Sequence, residues 1–367
     1  MDPKRRMDLI ARGKKQDNTE TIYKRSIKPH APEITEDRLT YGFETHTEPK
    51  LIKLLSDESE EKRISSLTLL YNHISNHLKI IRVLQNDGLK PLLHLLHDPN
   101  DTIRQRSAAI LSRISVVRAG VEGILAEDGG FETILESIAE TNLDICVTVH
   151  SIVNHICSTS FVANAVERGC IPVLVESLRI ADQDAKFLAL DTLYYCNERL
   201  AQSISISLSE GLVDAIADIL KSQDDNEIEV IQRASSVLSV LCGHVDGKTA
   251  AIESGCVEAL IDLLNATDDR HTQRIVMESL MTITTNLEGQ RVALAHGLGQ
   301  IIGQFLDSNH QNLILVTIKT ISNLAINPDG RKEMQSTITS LELLAKFPDR
   351  LIQDSAQEAL VRVQWVP

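Results

Sequence analysis

A glycine that returns about every 42 residues constrains this chain more than any other feature. Gly88, Gly130, Gly169, Gly211, Gly255 and Gly297 are spaced 42, 39, 42, 44 and 42 apart. Each leads an apolar segment: LKPLLHLL, FETILESI, IPVLVESL (one residue on), LVDAIADIL, CVEALIDLL and LGQIIGQFL. A chain that turns sharply between two helices needs a residue that takes φ > 0 without penalty, and glycine does so. All six glycines are expected at such turns.

The period from Ser254 to Leu287 shows what each repeat contains. Val257, Leu260, Ile261 and Leu264 form one apolar stripe at helical spacing. A polar turn, Asn265–Asp269, follows. Val276, Leu280, Ile283 and Leu287 then mark a second, longer helix. Neither helix hides its stripe alone, so each needs the other and the pair needs neighbours. A second glycine series, Gly247, Gly289 and Gly330, spaced 42 and 41, marks where a long helix ends and the next short one begins. Each period thus holds three helices. Glu48–Asn76 and Ser336–Trp365 carry helix pairs without the leading glycine, as the ends of a stack would.

The chain has 367 residues, more than the roughly 250–300 at which a single core stops growing. Its aromatic content is only 3%, which favours stacked helices over a sandwich. A period near 34 with a Trp/Tyr/Phe pattern would indicate tetratricopeptide repeats, and neither is present. Forty-odd residues led by G-x-[IVL]-x-x-[IL] resemble armadillo repeats. That resemblance implies an all-α, right-handed superhelical solenoid of about eight units, with a concave groove lined by the third helix of each.

The repeat domain is expected over 47–367. Residues 1–46, with three prolines (Pro3, Pro29, Pro32) and charged clusters, read as a basic, largely extended or disordered arm. The net charge is −14, but residues 1–28 carry +5, leaving −19 for the rest. A basic footprint for nucleic acid is lacking. Lys4, Arg5, Arg6, Lys14 and Lys15 are candidate contacts to an acidic partner surface. With no apolar run of roughly 18 residues, no membrane span is expected, and the N-terminus lacks the apolar core of a secretion signal. The six cysteines, 146, 157, 170, 196, 242 and 256, form no CxxC pair and read as buried free thiols in a reducing compartment.

Catalytic motifs fail on inspection. Gly243–Thr249 is one residue short of a phosphate-binding loop and follows no strand, and Gly297–Gly303 has the wrong spacing for a dinucleotide fingerprint. His73 with His77, and His94 with His97, have helical spacing for a metal pair, but zinc would need two further ligands for each. His150 and His155 do not share a face well. Paired carboxylates such as Asp224-Asp225 and Asp268-Asp269 precede the long helices, where they favour the helix N-terminus. No enzyme activity, cofactor, metal or small-molecule substrate is expected.

Aligning the long helices on their apolar frame places His73, Arg113, His155, Tyr195, Val240, Thr282 and Asn323 at one position. In armadillo-type nuclear-import receptors that position is repeatedly Asn, with Trp one turn before, holding an extended peptide by its backbone. Only Asn323 matches, and the sole tryptophan is Trp365. Catenin-like grooves use Lys and Arg, of which this row has only Arg113. His73, Arg113, His155, Tyr195, Thr282 and Asn323 are therefore candidate residues of a mixed partner-binding groove.

Three further stretches narrow the resemblance. Tyr41-Gly-Phe43 followed by Pro49-Lys-Leu51, Leu190–Cys196 (LDTLYYC), and the terminal Val363–Pro367 (VQWVP) are similar, in order, to segments of the radial spoke head 14 homologue family. The similarity covers about residues 40–367. It implies a non-enzymatic structural subunit of the ciliary or flagellar axoneme, cytoplasmic and cytoskeletal. Its partners would be other radial spoke proteins, in a hetero-oligomeric complex anchored to doublet microtubules. The alternative is a soluble cytosolic adaptor holding a linear peptide in its groove.

Overall fold

The computed structural model describes residues 47–179 and 182–366. The basic arm, including Lys4, Arg5, Arg6, Lys14, Lys15 and Tyr41–Phe43, lies outside the described residues. Contacts divide the chain after Lys50. Of the smaller unit only 47–50 are described, the first turn of the helix Thr47–Leu54.

Residues 51–366 are helical, with no strand among the described residues. Eight long helices recur: α1 (Glu60–His73), α2 (Asp101–Ser115), α3 (Leu143–Cys157), α4 (Gln183–Arg199), α5 (Ile228–Leu241), α6 (Arg270–Ile283), α7 (Gln311–Leu324) and α8 (Arg350–Val363). Each packs against the next, and a short pair precedes each of α2 to α8. In unit 6 this pair is Val245–Glu253 and Cys256–Ala266. The all-α armadillo-repeat solenoid expected from the period is the observed fold, and each long helix with its preceding short helices makes one of eight units.

α2, α3, α4, α6 and α8 start where a short polar side chain accepts from free backbone N–H groups. Asn100 Oδ1 accepts from Thr102 N at 2.8 Å, Asp182 from Ala185 N at 2.8 Å and Asp269 from Thr272 N at 2.8 Å. These caps give a common ruler. Eleven residues after the cap come Leu70, Leu111, Val153, Leu193, Leu238, Leu280 and Ile321, every one 0% exposed. The equivalent Leu360 in unit 8, at the end of the stack, is only partly buried. Full burial of such a side chain contributes roughly 1.5–3 kcal/mol before ordering entropy is subtracted.

Electrostatic clasps repeat on the same ruler. Arg63 donates to Asp57 O at 2.9 Å and pairs with Asp98 of the next unit at 3.1 Å. Its counterpart Arg104 donates to Asp98 O at 2.9 Å and pairs with Glu140 at 2.7 Å.

The glycines do two different jobs. Gly169, Gly211, Gly255 and Gly297 have φ between +75° and +83°, as expected of turn residues. Gly88 and Gly130 do not. The left-handed residues there are their predecessors, Asp87 (φ 56°) and Gly129 (φ 69°). Gly88 and Gly130 serve close approach instead: an added Cβ would lie 2.6 Å from Val83 Cγ1 and 2.7 Å from Ile124 O, respectively. The out-of-phase series also serves close approach. A Cβ on Gly247, Gly289 or Gly330 would lie 2.1, 2.6 or 2.1 Å from the carbonyl oxygen of Leu241, Ile283 or Leu324. Gly120 belongs to the same series: an added Cβ would lie 2.0 Å from Ile114 O.

Several boundaries differ from expectation. Asn265 and Ala266 still belong to the helix Cys256–Ala266, so the turn is 267–269. Leu287 is not part of α6; it opens the following helix and is 60% exposed. His73 ends α1, whereas His77 begins the next helix (His77–Gln85), so the two do not share a helix face.

Candidate functional site

On the cap ruler, the position thirteen residues into each long helix holds Asn72, Arg113, His155, Tyr195, Val240, Thr282, Asn323 and Arg362. His73 lies one residue beyond this row. The apolar frame of α1 misled the alignment because its last core residue, Ile74, falls one place later than Ile114 in α2. Asn72 is exposed and the other seven are half-buried.

Much of this row reaches back to the preceding unit. Arg113 donates to Tyr71 O at 2.7 Å and lies 3.4 Å over the Tyr71 ring. Asn323 Nδ2 donates to Met281 O at 3.0 Å, and Arg362 to Ser322 O at 3.4 Å. His155 Nδ1 sits 2.9 Å from Ser115 Oγ, and Thr282 Oγ1 lies 3.4 Å from Ser239 Oγ. Tyr195 lies under the Arg199 guanidinium at 5.0 Å, while Arg199 donates to Ser158 O at 2.6 Å. The last carbonyls of a helix have no partner within it, and cations there also complement its dipole. Row residues therefore staple α2, α3, α6, α7 and α8 to the C-terminal end of the preceding long helix. The sequence alignment found most of these residues but did not reveal this use.

The same face carries a cluster that sequence reasoning missed. Asp191 on α4 accepts from Asn154 of α3 at 2.9 Å and pairs with Arg233 of α5 at 3.2 Å. Arg233 also lies 5.6 Å from the Phe187 ring and 5.3 Å from the Tyr194 ring. Tyr194 donates to Glu198 at 3.2 Å. Burial, then the charge of Glu198, raises the Tyr194 phenol above its ordinary value. Arg274 and Glu278 on α6 pair beside this cluster. Half-exposed aromatic rings beside an arginine are a common composition for protein-contact surfaces. The only sequence hint was the LDTLYYC stretch. Its Leu190, Thr192, Leu193 and Cys196 are buried, while Asp191, Tyr194 and Tyr195 remain half-exposed.

All six cysteines are buried and unpaired by disulfides. Cys157, Cys170 and Cys196 bring their sulfurs within 4.8 Å of one another. They are the one group of metal-ligand type that converges among the described residues. His150, fully buried, places Nδ1 2.9 Å from Cys146 O and Nε2 3.1 Å from Ser177 Oγ. A carbonyl only accepts, so Nδ1 carries the hydrogen. No helix among the described residues is long and apolar enough to cross a membrane.

Comparisons with known proteins agree on the architecture. An engineered protein superimposes with a TM-score of 0.76 over 87% of this chain and 79% of its own, at 22% identity. A structure concerned with the phosphorylation switch between cadherin and β-catenin gives 0.68 over 85% of this chain and 60% of its own, at 19% identity. A designed armadillo repeat protein in complex with the peptide (KR)4 gives 0.59 over 64% of this chain and 99% of its own, at 18% identity. The chain has the armadillo fold. By sequence it is 25% identical to catenin beta of Urechis caupo over 315 residues, 82% of this chain. The chain spans only 37% of that relative. No family model matches.

Proposed function

We propose that this chain is a non-catalytic protein-binding scaffold, and specifically a structural subunit of the axonemal radial spoke. The supporting observation is the division of labour within LDTLYYC on α4. Its buried half builds the core that every unit needs. Its half-exposed residues, Asp191, Tyr194 and Tyr195, add a charged aromatic surface that the fold alone does not require. A neighbouring spoke protein docks on that surface. The candidate residues Arg113, His155, Tyr195, Thr282 and Asn323 line the same face, with Asn72 taking the place first given to His73. A stack of eight units offers room for several interfaces of roughly 1,200–2,000 Å² each. The basic residues Lys4, Arg5, Arg6, Lys14 and Lys15 supply a positive partner for an acidic neighbour.

Fractionation of motile cilia tests this reading. The protein is expected to remain with demembranated axonemes, and cells lacking it are expected to assemble cilia that beat abnormally. Crosslinking of intact axonemes should join Lys4, Lys14, Lys15 or Lys186 to other spoke proteins. Recovery only in the detergent-soluble cytosol would sink the spoke assignment. Binding of a linear peptide that depends on Arg113, Tyr195 and Asn323 together would favour a peptide adaptor instead.

A further inference from the structure

The fold brings three thiols together from separate helices. Cys157 ends α3, Cys170 opens the helix Cys170–Ser177, and Cys196 lies near the end of α4. All three are 0% exposed. We propose that Cys157, Cys170 and Cys196 form a three-coordinate binding site for a soft monovalent cation of the cuprous class. This inference is independent of the spoke assignment.

Geometry is the first argument. A planar centre with metal–sulfur bonds of roughly 2.3 Å places its sulfurs roughly 4.0 Å apart. The three sulfurs here already lie within 4.8 Å of one another, so closing around an ion needs only small side-chain rotations. Ligand chemistry is the second. Thiolates select soft ions, copper(I) among them. Structural zinc takes four ligands, and among the described residues no fourth His, Cys, Asp or Glu joins this group.

Electrostatics is the third argument. Each coordinating thiol gives its proton to solvent, and the resulting negative charge needs support. Cys170 is the first residue of its helix, at the positive end of the helix dipole. Gly169, just before Cys170, has φ +83°, and a Cβ on it would meet nothing within 4 Å. The backbone beside the cluster therefore borders open space at Gly169.

The repeat itself supplies an internal control. Cys242 and Cys256 occupy the positions of Cys157 and Cys170 two units later: one follows its long helix fifteen residues after the cap, the other follows the turn glycine. The position of Cys196 is there filled by Ile283. With two sulfurs only, Cys242 lies 3.6 Å from Gly247 O and Cys256 4.0 Å from Val213 O. Burial pushes the Cys256 thiol up to about 12. The third thiol is what distinguishes the earlier seam.

The test is an anaerobic titration of the fully reduced, full-length protein with copper(I) buffered by bicinchoninate. One equivalent is expected to move from the chelator to the protein, with X-ray absorption showing sulfur-only, three-coordinate copper. Cys196→Ile reproduces the later seam and is expected to weaken binding by roughly a hundredfold or more, whereas Cys242→Val leaves it unchanged. Cys170→Ala provides a second loss variant, and circular dichroism confirms that each variant folds. Copper left with the chelator while thiol assay counts six free thiols would overturn the proposal. Unchanged copper binding by folded Cys196→Ile and Cys170→Ala would do so equally. So would preferential uptake of zinc with a fourth, non-sulfur ligand.

Discussion

The seam between units 3 and 4 and the seam between units 5 and 6 are built on the same ruler and differ in a few side chains. Both put a cysteine at the end of the long helix and another after the turn glycine. The earlier seam adds Cys196, where the later has Ile283. The next short helix also differs. Gly289 passes tightly over Ile283 O, whereas Ser203 at the matching position donates its hydroxyl to Cys196 O at 2.6 Å. One carbonyl is thus approached by bare backbone in one unit and satisfied by a side chain in the other. The comparison teaches that the repeat fixes which positions meet, while the residue type at a few of them decides what the meeting does.

The largest effect should come from what the two seams share. Leu193→Asp and Leu280→Asp each place a carboxylate at a fully buried, equivalent core position, and each is expected to cost more than about 4 kcal/mol. A thermal melt unchanged by either would break the equivalence. Gly289→Ala comes next. Its Cβ would lie 2.6 Å from Ile283 O, so the helices must shift, at about 1–3 kcal/mol. Ser203→Ala only removes a hydrogen bond and should cost about 1 kcal/mol. Equal melts for these two variants would contradict the distinction drawn between them.

Acid sensitivity should also separate the regions. Burial holds the His150 ring below its ordinary value of 6.5. The folded state then binds fewer protons than the unfolded chain. The contribution is whole above pH 6.5 and is lost as pH falls from 6.5 to the lowered folded value. His155 shifts the same way for the same reason, while unit 5 holds Ser235 and Val240 at the matching positions. His150→Leu, which copies Leu190 of unit 4, should flatten the decline in melting temperature below pH 6.5. An unchanged slope would remove His150 from the account. An equally small effect is expected from Asn323→Ala, which loses the bond to Met281 O at about 1 kcal/mol.

Much of the fold was legible because glycine spacing and apolar stripes are local signals. They located the units and predicted four of the six left-handed turns. Asp87 and Gly129 were missed because aspartate and a neighbouring glycine satisfy the same backbone geometry. The candidate face was less legible. The row starting at Asn72 was found one residue out in α1, where the final core residue is displaced. Its pairing with preceding carbonyls is a contact across about 42 residues, which no local pattern records. Cys157, Cys170 and Cys196 are 13 and 26 residues apart, unlike any metal motif. Only the repeat phase, once set by the caps, aligns them with Cys242, Cys256 and Ile283.

Native mass spectrometry of the reduced protein with copper(I) tests that phase and the proposed site together. The wild-type chain should carry one copper ion, Cys196→Ile none, and Ile283→Cys two, because the third thiol completes the later seam. A single copper ion on all three proteins would contradict the account.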